Sequence, residues 1–255
     1  MTPRYVALGS SMAAGPGIAP SAPGAPSRSG RSAVNYAHLV AGRLGHHLVD
    51  VTFSGATTAH VLSDRQFSAP AQVEALNGTE DLVTVTIGGN DAGYVPMLAA
   101  ACLPGFLRSV PVVGGLLRGQ LDAAARDRAL DTVGESLKTV GREIRRRAPQ
   151  ARVLFVDYLT LLPPEGVPAP PMRDRDADLG RHIAQRLAEL TATAAEETGC
   201  GLVRAAAASV DHHGWSSDPW VTAFHLPLPG RVAPLHPNAA GMRAVAELVV
   251  EAVRS

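Results

Sequence analysis

Charge is scarce in this sequence, and none of it is left over. Only 18% of the 255 residues are Asp, Glu, Lys or Arg, and 23 basic residues face 23 acidic ones. A chain without net charge offers no electrostatic footprint to nucleic acid, so that class of partner is excluded. Lys138 is the only lysine, which leaves 22 arginines among the 23 basic residues. Coding bias accounts for that, and no chemistry is built on it.

Cysteine is almost missing too. Cys102 and Cys200 show no CxxC spacing and no Cys/His cluster, which excludes a zinc site and a redox motif. Whether the two are bridged stays open at this point. The uncharged stretch from Ala92 to Leu107 has 16 residues and is broken by Pro96 and Pro104, short of the ~20 that a spanning helix needs. No transmembrane segment is expected. The N-terminal apolar run, Val6 to Leu8, is only a strand long before Gly9-Ser10-Ser11, which does not match a secretion signal and makes a cytoplasmic location the expectation. GxSxG, HExxH and GxxxxGK are all absent, so an α/β-hydrolase elbow, a metal centre and a phosphate loop have no anchor. No cofactor and no metal are expected.

What remains is a foldable chain. Hydrophobic residues reach 46%, too many for a polypeptide that stays unfolded. No fixed-period repeat appears, and the Pro/Gly/Ser-rich tract Pro16 to Gly30 follows only about fifteen residues, so it is a loop; one domain over 1–255 is the simplest organisation. Apolar runs of strand length lie at Arg4 to Leu8, Leu48 to Phe53, Leu82 to Ile87, Arg152 to Asp157 and Gly201 to Ala205. Between them, Leu130, Val133, Leu137, Val140 and Ile144 recur at steps of three and four, predicting a helix over about Asp122 to Ala148 that ends before Pro149. Two further helical faces carry Leu179, Ile183, Leu187 and Leu190, and Met242, Val245, Val249 and Val253. Alternating strands and helices with continuously apolar strands give an α/β fold: a parallel sheet with helices on both faces, whose ligands sit beyond the carboxyl ends of the strands.

The loops after strands one, two, three and five therefore receive the closest reading. The first opens with Gly9-Ser10-Ser11, where a serine stands at a helix start with backbone N–H groups beside it. As a bare pattern, that is also how a serine caps a helix. Ser54-Gly55-Ala56 follows the second strand and Gly88-Gly89-Asn90-Asp91 the third; Gly55 permits close backbone approach, and the Asn90 amide can donate. His236-Pro237-Asn238 opens the last helix, with Pro237 suited to its first positions. A serine needs a base to take its proton, and histidine titrates near neutrality, so Ser11 and His236 form a minimal pair for acyl transfer.

In order along the chain these four blocks resemble the SGNH hydrolases, the GDSL lipase/esterase family, over nearly the whole length. The resemblance implies a three-layer α/β/α, flavodoxin-like fold with a five-stranded parallel sheet. It also implies Ser11 as nucleophile, His236 as general base, and an oxyanion hole made by the Ser11 and Gly55 N–H groups and Asn90. Ser10 stands where the family usually has Asp. Ala233 stands three residues before His236, where an orienting Asp is frequent, so the backbone carbonyl of Ala233 is the expected orienting group and Asp218 its rival. The implied activity is hydrolysis of small-molecule esters, lipid and acylated-sugar esters included. Acyl transfer, sugar deacetylation and a catalytically degenerate binding module are its alternatives. Leu103 to Leu117 is read as a lid or acyl-contact loop.

Overall fold

A computed structural model describes residues 2–226, 228 and 230–255, the side chains of Arg108 and Val113 aside. Five strands, β1 (Arg4–Gly9), β2 (His47–Asp50), β3 (Leu82–Thr86), β4 (Arg152–Val156) and β5 (Gly201–Val203), form one parallel sheet in the order β2-β1-β3-β4-β5. All five residues of β3 are buried, as are the last five of β1. Strands covered on both faces need apolar side chains in both directions, which is why they read as continuous runs rather than alternations. β2 ends at Asp50, short of the expected Phe53. The Asp50 carboxylate there accepts the backbone N–H (2.9 Å) and the hydroxyl (2.7 Å) of Thr52, turning the chain off the ladder.

Nine helices connect and cover the sheet among the described residues: α1 (Ser11–Ala14), α2 (Tyr36–Leu44), α3 (Thr58–Leu62), α4 (Tyr94–Cys102), α5 (Val113–Gln120), α6 (Ala123–Arg147), α7 (Asp174–Glu197), α8 (Ala205–Ala208) and α9 (Ala239–Arg254). α2 packs on α9 and α6 on α7, giving the outer layers of an α/β/α fold. In α6 the expected stripe from Leu130 to Ile144 is the buried face, and Asp122 caps the helix by accepting the Ala125 N–H. α9 begins later than expected: Asn238 is its cap, accepting from Ala240 and Gly241, so Pro237 lies before the helix and pairs instead with Val221 in a β-bridge.

The tract Pro16 to Gly30 is a loop tied down by backbone bonds from Ala22 to Arg31 and from Ala33 to Pro20. Cys102 and Cys200 are both free. Among the described residues no helix is long and apolar enough to cross a membrane. The strand order reverses between β1 and β3, and in sheets of this kind the carboxyl edge at such a reversal is where ligands bind.

Candidate active site

β1 leaves the sheet at Gly9, whose φ of +145° and closeness to β3 admit no side chain: a Cβ would stand 2.6 Å from the Thr86 carbonyl oxygen. The buried Gln72 side chain brackets this glycine, accepting its N–H at 2.7 Å and donating to its carbonyl at 3.0 Å. Ser10 then donates its N–H to Thr86 O and accepts the N–H groups of Ala13 and Ala14, so Ser11 opens α1 at a fixed position beyond the carboxyl end of β1. Neither serine behaves as a simple helix cap. The Ser10 side chain makes no capping bond and lies 3.4 Å from the Tyr158 hydroxyl, while Ser11 Oγ meets His236 Nε2 at 2.8 Å.

That contact joins residues 225 positions apart, with only 8% of each exposed. His236 arrives on a loop held by Thr222, whose N–H donates to the His236 carbonyl at 2.9 Å and whose hydroxyl receives the His236 N–H at 3.3 Å. Leu235, buried and at φ +59°, turns the chain through the left-handed region just before the histidine, a strained conformation for a branched side chain. The ring then folds back on its own segment, with Nδ1 2.7 Å from the Pro234 carbonyl oxygen. A carbonyl only accepts, so Nδ1 carries the hydrogen, and Nε2 is left to accept the Ser11 hydroxyl. Burial pushes the imidazole pKa below its ordinary value, with the Pro234 carbonyl opposing, so the ring is neutral at neutral pH.

Both expectations for the orienting group are corrected here. The Ala233 carbonyl is taken by the Thr222 hydroxyl at 2.7 Å, and the left-handed turn at Leu235 leaves the next carbonyl, that of Pro234, to meet the ring. Asp218 lies beside a different histidine: its carboxylate is 3.3 Å from His212 Nδ1, and its backbone carbonyl accepts from that nitrogen at 2.8 Å.

The two other motif residues come from neighbouring loops that are fastened together. Gly55, at φ +80°, exposes a backbone N–H that has no partner among the described residues; the Ser11 N–H likewise has none. Asn90 donates one of its two amide hydrogens to the Ala56 carbonyl at 2.7 Å, leaving the other free to donate. One residue on, the Asp91 carboxylate accepts the Thr58 hydroxyl at 2.6 Å and the Thr58 N–H at 3.1 Å, anchoring the start of α3. Unpaired N–H groups beside a hydroxyl and its base are what an acyl-transfer centre requires for a developing oxyanion.

Sequence reasoning missed Tyr158. It leaves the carboxyl end of β4, the one strand whose loop was not singled out, and its buried hydroxyl accepts the Gly89 N–H at 2.9 Å just before Asn90. An aromatic with a polar tip directly after a strand of the central sheet was the available signal. In the segment Leu103 to Leu117, read above as a lid or acyl-contact loop, Phe106, Val112 and Leu116 are exposed.

Comparison with known proteins extends over nearly the whole chain. Residues 7–244 match the model of the GDSL-like lipase/acylhydrolase family. Lipase 2 of Streptomyces coelicolor is 34% identical over 256 residues, covering 95% of this chain and 83% of that protein. The crystal structure of an extracellular lipase from Streptomyces rimosus superposes with a TM-score of 0.80 at 26% identity, and that of phospholipase A1 from Streptomyces albidoflavus NA297 with 0.80 at 24%, each over 100% of both chains. At 24% identity the second likeness speaks to the fold alone.

Proposed function

The chain belongs to the GDSL-like lipase/acylhydrolase family and is a carboxylic ester hydrolase, and on that premise we propose that Ser11 is its nucleophile and His236 its general base. The observation that carries this is the 2.8 Å contact between Ser11 Oγ and an imidazole nitrogen free to accept. Ser11 Oγ attacks the ester carbonyl carbon while its proton passes to His236 Nε2. The oxyanion accepts hydrogen bonds from the Ser11 and Gly55 N–H groups and from the free Asn90 hydrogen. Collapse expels the alcohol, which takes the proton from Nε2, and leaves the acyl group on Ser11. Water then attacks that ester, giving its proton to His236, and Ser11 leaves as the restored hydroxyl with the acid as product.

The imidazolium formed in each half-reaction holds its Nδ1 hydrogen on the Pro234 carbonyl, which fills the orienting role in place of a carboxylate. Lipid esters are favoured over acylated sugars because the similar Streptomyces proteins are named lipases. Labelling with a fluorophosphonate followed by peptide mapping tests the catalytic assignment: the adduct is expected on Ser11 and absent from Ser11→Ala. Labelling of another residue would reject it.

A further inference from the structure

Four buried side-chain polar atoms have no hydrogen-bond partner among the described residues. Two of them, Arg31 Nε and Gln66 Oε1, belong to residues that line one cavity of about 470 Å³. A buried polar group without a partner costs free energy, so two on the walls of one cavity mark a place that a ligand would complete. The walls come from the end of the Pro/Gly/Ser-rich tract, from the chain leaving β2, and from residues 60–75. Nothing in the hydrolytic mechanism uses this space.

Arg31 presents a particular edge. Its Nη1 is fixed on the Asp50 carbonyl, which leaves the Nε–Nη2 side, the pair of parallel N–H groups that matches a carboxylate. The Asp50 carboxylate does not take it, since its two oxygens accept from Thr52 and from Asn35. Glu74, the one acidic residue in the wall, is exposed. Burial pushes the Arg31 pKa below its ordinary value, with Asp50 opposing, as befits a cation short of counter-charge.

The neighbouring groups narrow the ligand further. Gln66 donates its Nε2 hydrogen to the Ser54 carbonyl at 2.9 Å, so Oε1 is an acceptor in want of a donor, which a hydroxyl supplies and a carboxylate does not. His60, also in the wall, has Nδ1 occupied by the Thr57 N–H at 3.1 Å and the Thr57 hydroxyl at 2.7 Å, so its hydrogen is on Nε2. One cationic fork, one neutral N–H and one lone acceptor suit a single negative charge with a hydroxyl beside it.

We propose that this cavity binds a small hydroxy-carboxylate, with its carboxylate on the Nε–Nη2 edge of Arg31 and its hydroxyl donating to Gln66 Oε1. Two wall residues connect the cavity to the catalytic loops: Gln72 brackets Gly9, and Gln66 holds Ser54 beside Gly55. A free hydroxy acid and one carried at the alcohol end of an ester present the same group. Only the second source rests on the ester-hydrolase reading, and binding itself requires no turnover.

Isothermal titration of the full chain with glycerate is the test, compared with propionate, which lacks the hydroxyls, and glycerol, which lacks the carboxylate. Glycerate is expected to fill one saturable site below about 10 mM, with each comparison weaker by roughly tenfold or more. Arg31→Lys keeps the charge but not the paired N–H groups, and is expected to weaken glycerate binding roughly tenfold in a chain that a thermal melt shows to be folded. Glu74→Gln, at an exposed position, is expected to tighten it by removing a like charge. Competitive inhibition of short p-nitrophenyl ester hydrolysis by glycerate would assign the group to the substrate; binding without competition would assign it to a separate ligand. No saturable glycerate binding, equal binding of propionate, or binding unchanged by Arg31→Lys would overturn the proposal. Absence of short-ester hydrolysis in the unaltered chain would instead sink the ester-hydrolase assignment and leave the calorimetry standing.

Discussion

Asn90→Ala separates two tasks that one side chain performs. Its amide supplies one hydrogen to the Ala56 carbonyl at 2.7 Å and keeps a second for an oxyanion. If the second hydrogen is a transition-state donor, its loss costs about 2.7–4 kcal/mol of barrier, or 10²–10³ in kcat, with little change in KM. If the first were its whole contribution, the loss would be about 1 kcal/mol of folding stability and a small change in rate. Hydrolysis of a short p-nitrophenyl ester and a thermal melt on the same sample read the two apart. We expect a kcat loss of at least about a hundredfold beside a melting shift of a few degrees. Asn90→Asp adds a control: it keeps the size but sets a carboxylate oxygen against the Ala56 carbonyl, so it is expected to be less stable than Asn90→Ala and as slow. A kcat loss under tenfold for Asn90→Ala would refute the donor role and leave only the tether.

Thr222→Val removes the hydroxyl that accepts the His236 N–H and donates to Ala233 O; the expected result is a kcat lower by roughly tenfold with KM unchanged, and normal kcat beside a lower melting temperature would show a purely structural role. Tyr158→Phe leaves the buried Gly89 N–H without its acceptor, which is expected to cost about 1–3 kcal/mol of stability by chemical denaturation; an unchanged midpoint would contradict it. Because burial lowers the His236 pKa, kcat/KM is expected to rise with pH through an apparent value below the ordinary ~6.5 and to be flat from pH 7 upward, and an acid limb centred at or above that value would count against a buried neutral base. The sign for stability follows from the same shift: the unfolded chain binds the proton more readily, so the stabilising contribution is complete above ~6.5 and is lost as pH falls through the lowered native value.

Much of the architecture was legible in the chain because a doubly covered sheet leaves a clear trace: in β1, Val6, Ala7 and Leu8 are apolar and buried on both faces, and β3 holds no charged residue. Helix α6 was equally plain, since a 25-residue amphipathic stripe with Asp122 before it and Pro149 behind has only one reading. Ser11, Gly55, Asn90 and His236 stood out as candidates because each stands at a strand end or near a helix start and their blocks together resemble one family. The Pro234 carbonyl was not, since a backbone acceptor has no side-chain signature and its presentation depends on Leu235 adopting a conformation that its residue type disfavours. Asp218 misled for the opposite reason: a carboxylate is conspicuous in a sequence, and only the folded loop shows that it accompanies His212. Tyr158 escaped because its partner is a main-chain N–H 69 residues away, a relation that no spacing encodes.

The double fastening between the second and third loops, Asn90 to Ala56 and Asp91 to Thr58, matters to anyone wishing to remodel this enzyme. Residues 54–58 and 88–91 behave as a single cassette assembled from two distant stretches of gene. Swapping either alone from a relative would strand a hydrogen-bonding partner on the other, whereas exchanging both together preserves the join and lets the surrounding loops be varied freely.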